Sequence, residues 1–196
     1  MDFVRSIKMA LKKFIGISGS LRKNSTNTGL LRAIQKLGPK YGFVLTIINY
    51  SDVPLYDQDT EDWGTPDSVE AIRMQVLEAD AIVFACPEYN GYFSAAMKNL
   101  IDWGTRKKNI WADKRCLIVS AGGGGGGVRG CKQLAALLTD IKAQVKPDGV
   151  SGGVHLKIFA QPPPVDMKTG NTIDGGAIEL IENTVQEFSE FVVCAC

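Results

Sequence analysis

Phe14-Ile15-Gly16-Ile17-Ser18-Gly19-Ser20-Leu21-Arg22-Lys23-Asn24-Ser25-Thr26-Asn27 begins as an apolar run and turns at Ser18 into hydroxyls, cations and amides. It then gives way to the helical spacing Leu30, Ile34, Leu37, which Gly38-Pro39 stops. Strand, polar loop and helix follow one another without a break. The same alternation continues along the chain. Apolar runs Phe43 to Ile48, Ala81 to Ala85 and Cys116 to Val119 predict further strands, and a short fifth strand is expected between Ala143 and Gly153, with limits blurred by Pro147 and the glycines. Between and after them, Val69/Ile72/Val76, Met97/Leu100/Trp103, Leu134/Leu137/Leu138/Ile141 and Ile178/Ile181/Val185/Phe188/Val192 keep helical periods. The strand runs are continuously apolar, so both of their faces must be covered. That pattern belongs to a parallel sheet between helices, a doubly wound α/β domain.

In such a sheet ligands bind outside the carboxyl ends of the strands, where the winding reverses. The segments that follow three of the predicted strands are chemically unusual. In the first, Ser18, Ser20 and Ser25 offer hydroxyls, Arg22 a guanidinium and Asn27 an amide, at the point where a helix begins. A helix N-terminus carries partial positive charge and unpaired N–H groups, so this loop is expected to hold a phosphate. An ordinary helix cap explains Ser25 or Asn27 but not the whole cluster. Gly19 is expected to let the backbone approach the anion closely. The motif GxxxxGK[ST] is absent and the first turn has no GxGxxG, which favours a mononucleotide bound without a catalytic magnesium.

The second segment, Pro87-Glu88-Tyr89-Asn90-Gly91, can supply backbone donors and acceptors to the edge of a flat heteroaromatic ring and aromatic surface to its face. Ser94, a little further on, reads as a helix cap. The third segment runs from Ser120 through six consecutive glycines, Gly122 to Gly127, to Arg129. Any such run matches GxGxxG, so the match carries no weight. A backbone without Cβ atoms can nevertheless pass close to a ring and present its N–H groups. A flexible linker is the other reading, and it is set aside because strand and helix signals abut the run on both sides.

Composition narrows the chemistry further. The chain has 196 residues, 45% of them apolar, enough for one substantial core. The apolar runs are far shorter than the roughly 20 residues of a membrane span. A net charge of +1 supplies no global field for nucleic acid or an acidic membrane, but residues 1–40 are strongly basic and the last helix is acidic, which suits an anionic ligand near the N-terminal third. The five cysteines, Cys86, Cys116, Cys131, Cys194 and Cys196, form no CxxC and no zinc-ligand spacing, so reduced thiols in a cytoplasmic chain are expected. The Cys-Ala-Cys terminus resembles a prenylated tail, but nothing else in the chain supports lipidation. The only histidine, His155, sits in Gly152-Gly153-Val154-His155-Leu156 away from any nucleophile motif and reads as a strand-edge residue. Histidine-dependent hydrolysis is thereby disfavoured, and chemistry carried by a cofactor is favoured. The expected organisation is an extension over 1–12, one domain over 13–193 and a tail over 194–196.

Taken in order, Gly19-Ser20-Leu21-Arg22 with Ser25 and Asn27, Pro87-Glu88-Tyr89-Asn90-Gly91 and Leu100-Ile101-Asp102-Trp103 resemble the NADPH-dependent FMN reductase family, whose members include quinone, chromate and azo-dye reductases. Val53-Pro54-Leu55-Tyr56-Asp57, Gly126-Gly127 with Arg129, and Lys168 to Asp174 extend the resemblance over most of the chain. It implies a flavodoxin-like three-layer sandwich with a five-stranded parallel sheet in the order 2-1-3-4-5 and FMN at the switch point. It also implies that Ser18, Ser20, Arg22, Ser25 and Asn27 hold the phosphate and ribityl groups. Pro87, Glu88, Tyr89, Asn90 and Gly91 would line the isoalloxazine, with Ser120 and Gly123 at its other edge. The implied reaction passes hydride from NADPH or NADH through flavin N5 to a small oxidised acceptor, a quinone first, then azo compounds or metal oxyanions. No protein acid or base is required. Arg22, and after it Arg129, are the candidates for the nicotinamide cofactor's phosphates. A homodimer or homotetramer is implied by the resemblance alone. The alternatives are a flavodoxin-like electron carrier, which the near-neutral charge and basic first loop disfavour, and a flavodoxin-fold module that binds no flavin.

Overall fold

Apolar side chains alternating along the central strands divide between two helical layers. Phe14, Val83, Leu117 and Val119 pack against one face and Ile15, Ile17, Ile82, Phe84 and Ile118 against the other. The structure is a computed structural model that describes residues 10–147 and 154–194. The expectations for residues 1–9, for Gly149 to Gly153 and for the last two residues of the Cys-Ala-Cys terminus fall outside the described residues.

The strands are β1 (Lys12–Ser18), β2 (Phe43–Ile47), β3 (Ala81–Ala85), β4 (Arg115–Gly122), β5 (Gln144–Val145) and β6 (His155–Lys157). The helices are α1 (Thr26–Leu37), α2 (Gln58–Trp63), α3 (Asp67–Glu78), α4 (Ala95–Thr105), α5 (Val128–Asp140) and α6 (Gly175–Val193). The sheet order is β2-β1-β3-β4-β5, every pairing is parallel, and β6 also pairs with β4. Helices α1 and α6 cover one face, and α3, α4 and α5 the other. This is the expected flavodoxin-like sandwich and order.

Local chemistry sets the helix ends. Ser25 caps α1 by accepting from Thr28 N at 3.2 Å, Ser94 caps α4 by accepting from Met97 N at 3.2 Å, and Asp174 caps α6 by accepting from Ala177 N at 2.8 Å. On the α1/α6 face Phe14 stacks on Phe43 at 4.1 Å and meets the edge of Phe188 at 5.5 Å. Burying each such ring contributes roughly 1.5–3 kcal/mol.

Three details differ from the sequence expectation. Strand β1 begins at Lys12, one residue inside the expected extension. The fifth strand position is shared: β5 pairs with Arg115 and Cys116, while β6, beyond Gly153, pairs with Ser120 to Gly122. Helix α2 was not expected because it buries no residue, so it has no apolar period; only its Asp57 cap marks it.

Candidate active site

The sheet register brings the carboxyl ends of three strands level. Ser18 of β1 lies beside Ala85 of β3, Gly19 N donates to Ala85 O at 2.9 Å, and Cys86 N donates to Val119 O at 2.8 Å. The three unusual segments therefore leave the sheet side by side at the point where the winding reverses, between β1 and β3.

In the first loop the end of β1 is tied down from several sides. Tyr50 Oη donates to Ser18 O at 2.6 Å, Thr28 Oγ1 donates to Ser18 Oγ at 2.8 Å, and Ser25 N donates to Arg22 O at 3.1 Å. Burial pushes the Tyr50 phenol well above its ordinary range, so it stays a donor. The N–H groups of Thr26 and Asn27 open α1 and have no acceptor within the helix. Arg22 and Lys23 are exposed at the rim, and among the described residues neither forms an ion pair. Amides without intrahelical acceptors, together with cations at a helix N-terminus, are the groups an anion cradle needs.

The expected ligands divide the labour within this loop. Ser20 and Arg22 stand at the mouth. Ser18 is buried, with its hydroxyl shared among Thr28, Ser20 O and Ser20 N. Ser25 is the cap of α1. Asn27, 3% exposed, is a strut: its Nδ2 donates to Ala121 O at 2.9 Å and its Oδ1 accepts from Ala121 N at 3.0 Å, tying the loop to the end of β4. Gly19 has a packing reason besides the one expected. A Cβ there would lie 2.6 Å from Pro87 Cδ and 3.0 Å from both Met97 Cε and Ser94 Oγ, so its hydrogen lets the first two loops pack together.

The second loop is a tight hairpin. Tyr89 N donates to Tyr92 O at 2.8 Å and Tyr92 N to Tyr89 O at 3.1 Å, while Asn90 and Gly91 have φ of 54° and 88°. Two successive positive φ values make this a type I′ turn, and Asn-Gly is the dipeptide that favours it. Tyr89 is 56% exposed and Pro87 is buried. Glu88 caps α5: its carboxylate accepts from Arg129 N at 3.0 Å and Gly130 N at 3.4 Å, and pairs with Arg129 Nε at 3.1 Å. Arg129 in turn covers Gly91, where a Cβ would lie 2.7 Å from Nη2.

In the third loop the glycines are not equivalent. Gly126 and Gly127 have φ of 66° and 88°, and a Cβ on Gly127 would meet Ser120 Cβ at 2.9 Å. Among the described residues, nothing lies within 4 Å of a Cβ built on Gly124 or Gly125, and only the Phe159 ring comes near one on Gly123. Ser120 is 0% exposed. Its Oγ donates to Gly126 O at 2.5 Å and lies 2.7 Å from His155 Nδ1. Ser120 thus sits beneath the glycine run and shapes it, while Gly123 to Gly125 form its exposed crest. His155 is an edge-strand residue as expected, with a contact to Ser120 that its sequence surroundings do not announce.

The structure adds residues that the motifs do not include. Thr28 and Tyr50 set the first loop. Phe159, 71% exposed, follows β6 at the same end of the sheet, and its place after a strand could have marked it. Lys132 lies one turn from Arg129 on α5, and both border a cavity of about 340 Å³ beside the Asn90-Gly91 turn.

The family model of the NADPH-dependent FMN reductases matches residues 12–155, the stretch that carries all three loops. The chain belongs to that family. It is 39% identical over 199 residues to an NADPH:quinone oxidoreductase of Arabidopsis thaliana, covering 98% of this chain and 97% of the relative. It is 34% identical over 183 residues to a quinone reductase of Escherichia coli K12, covering 91% and 94%. The flavoenzyme NAD(P)H:(acceptor) oxidoreductase of Paracoccus denitrificans shares the fold, with a TM-score of 0.79 at 24% identity over 93% of this chain and 97% of that one.

As an FMN reductase the chain is an enzyme whose cofactor is FMN and whose reductant is NAD(P)H. Its residues fit that cofactor. The amide cradle and Arg22 match a phosphate monoester, and the exposed Gly123 to Gly125 backbone leaves room beside a ring edge. Among the described residues no helix is long and apolar enough to cross a membrane.

Proposed function

We propose that this chain is an NAD(P)H:quinone reductase in which FMN lies across the ends of β1, β3 and β4, phosphate in the first loop and ring between the second and third. The observation that carries the reading is the convergence of a preorganised anion cradle, a rigid Asn90-Gly91 turn and an open glycine crest on adjacent strand ends. When bound, FMN supplies at N5 the centre that accepts hydride from NAD(P)H and returns it to the acceptor. The protein's part is binding and orientation, and positioning alone is worth roughly 7–11 kcal/mol of barrier.

Thr26 N, Asn27 N and Arg22 would hold the phosphate, and Ser18 and Thr28 stiffen the walls behind them. Tyr89 and the Asn90-Gly91 turn would line the ring on one side, and the backbone of Gly123 to Gly125 on another. Arg129 and Lys132 border the cavity beside that turn, a place for the phosphates of the nicotinamide cofactor. The acceptor class is a quinone, as the names of the plant and bacterial relatives suggest. We also infer a homodimer or homotetramer, because Leu55 at 79% and Trp63 at 93% exposure leave apolar surface for a second copy. A cytoplasmic setting suits the free thiols Cys86, Cys116 and Cys131.

A steady-state panel tests the proposal: purified chain with FMN, NADPH or NADH, and benzoquinone, an azo dye or chromate. Turnover with quinone is expected. Flavin binding without NAD(P)H turnover would make the chain an electron carrier instead.

A further inference from the structure

Behind the first loop, on the side away from its mouth, lies a hairpin that none of the expected cofactor contacts involves. We propose that the hairpin Val165–Thr172 clamps the FMN-phosphate loop, and that Gly170 and Asn171 at its tip are positioning residues for flavin retention. The proposal deepens the flavin reading and rests on the assignment of the first loop to phosphate.

The hairpin is organised before it meets α1. Val165 is buried in the same core cluster as Leu30 and Ile181, and it bridges Thr172. Asp166 N donates to Asn171 O at 2.8 Å, and Gly170 N donates to Asp166 O at 2.6 Å. The Asp166 carboxylate accepts from Lys168 N and Thr169 Oγ1, each at 2.8 Å. Closed on itself by these hydrogen bonds, the tip can act as a wedge.

It meets the loop through backbone. Gly29 lies in the first turns of α1, and a Cβ there would run into the Gly170 carbonyl oxygen. Gly170 has a φ of 75°, and a Cβ on it would come within 2.6 Å of Ser25 O and 2.8 Å of Asn24 O. Glycine is among the poorest helix formers, so its presence at position 29 calls for a tertiary reason, and this contact supplies one. Arg32 locks the pair from the side, donating from Nε to Asn171 Oδ1 at 2.8 Å and from Nη2 to Thr169 O at 3.0 Å.

The consequence falls on the cradle. The Ser25 carbonyl is held between Gly29 N, which donates to it at 2.9 Å, and the backbone of Gly170. A trans peptide is planar, so fixing that carbonyl fixes the Thr26 N–H at the other end of the same unit, pointing the opposite way, toward the mouth. Pressure from the hairpin thereby sets the aim of an amide that would hold the phosphate.

FMN titration of the purified full chain, followed by flavin fluorescence, tests this in the wild type, Asn171→Ala, Asn171→Asp and Gly29→Ala, alongside melting of the flavin-free proteins. Asn171→Ala and Gly29→Ala are expected to weaken FMN binding by about tenfold. Asn171→Asp, which still accepts from Arg32 Nε, should bind as the wild type does. Hydrogen exchange at the Thr26 and Asn27 amides of flavin-free Asn171→Ala should quicken while its melting temperature changes little, since Asn171 is exposed. Wild-type affinity in both weakened variants, or losses that only follow melting temperature, would overturn the clamp. A wild-type chain that takes no FMN would overturn the assignment of the loop, and the clamp with it.

Discussion

Replacing Asn27 with alanine separates a strut from a ligand. The Asn27 side chain makes two hydrogen bonds, from Nδ2 to Ala121 O at 2.9 Å and to Oδ1 from Ala121 N at 3.0 Å, both buried. Alanine would strand an N–H and a carbonyl at the end of β4. At roughly 1–3 kcal/mol for each stranded group, and with water reaching part of the gap, the loss is about 2–4 kcal/mol. For a chain of this length that lowers the melting temperature by about 5–15 °C. Asn27→Asp should not rescue, because one carboxylate oxygen would face the Ala121 carbonyl. The assay is circular-dichroism melting, with urea midpoints, of the flavin-free proteins. FMN affinity, measured separately, should also fall as the first and third loops come apart. If flavin-free Asn27→Ala melts with the wild type while FMN affinity drops, Asn27 is a cofactor ligand and the strut reasoning fails.

Two further outcomes follow from the same geometry. Gly127→Ala, at a φ of 88° and against Ser120, should cost about 1–3 kcal/mol in a urea melt, while Gly124→Ala, facing open space, should be near neutral; equal effects would mean the run is a uniform linker. The hydrogen bond from Lys168 N, with that of Thr169, holds the Asp166 carboxyl below the usual range. Its folded pKa is depressed, so its stabilisation is present above the unfolded value of about 4 and is lost as pH falls through the folded one. The melting temperatures of wild type and Asp166→Asn should therefore differ at neutral pH and converge under acid conditions; a gap that stays constant through the acid range would contradict this.

The sheet was legible because strands covered on both faces must be apolar along their whole length, as the Phe14, Ala81 and Cys116 runs are; the Phe43 run departs from this, because β2 is an edge strand that buries Phe43 and Leu45 on one face and leaves Val44 and Thr46 exposed on the other. The helices were legible from their buried stripes, and α2, which buries nothing, left no stripe to read. The sharing of the fifth strand position was hidden for another reason: His155-Leu156-Lys157 is a strand only because β4 is there to pair with it. The candidate site was legible as three loops of unusual composition that leave the sheet side by side, and the Asn90-Gly91 turn could have been named from its dipeptide alone. What composition cannot give is the direction in which a side chain faces. Asn27 and Glu88 have the chemistry of ligands, yet Asn27 spends its amide on Ala121 and Glu88 its carboxylate on the start of α5. Gly19 likewise answers to Pro87 across the crevice, a contact that exists only once β1 and β3 are paired.

FMN held across these strand ends is expected to pass hydride from NAD(P)H to a quinone. An anaerobic spectroscopic titration tests it most directly: FMN-loaded protein receives one equivalent of NADPH and then one of benzoquinone. The expected result is that the flavin's visible band bleaches with NADPH and returns with the quinone. A band that survives NADPH, or bleaches and does not return with quinone, would contradict the claim.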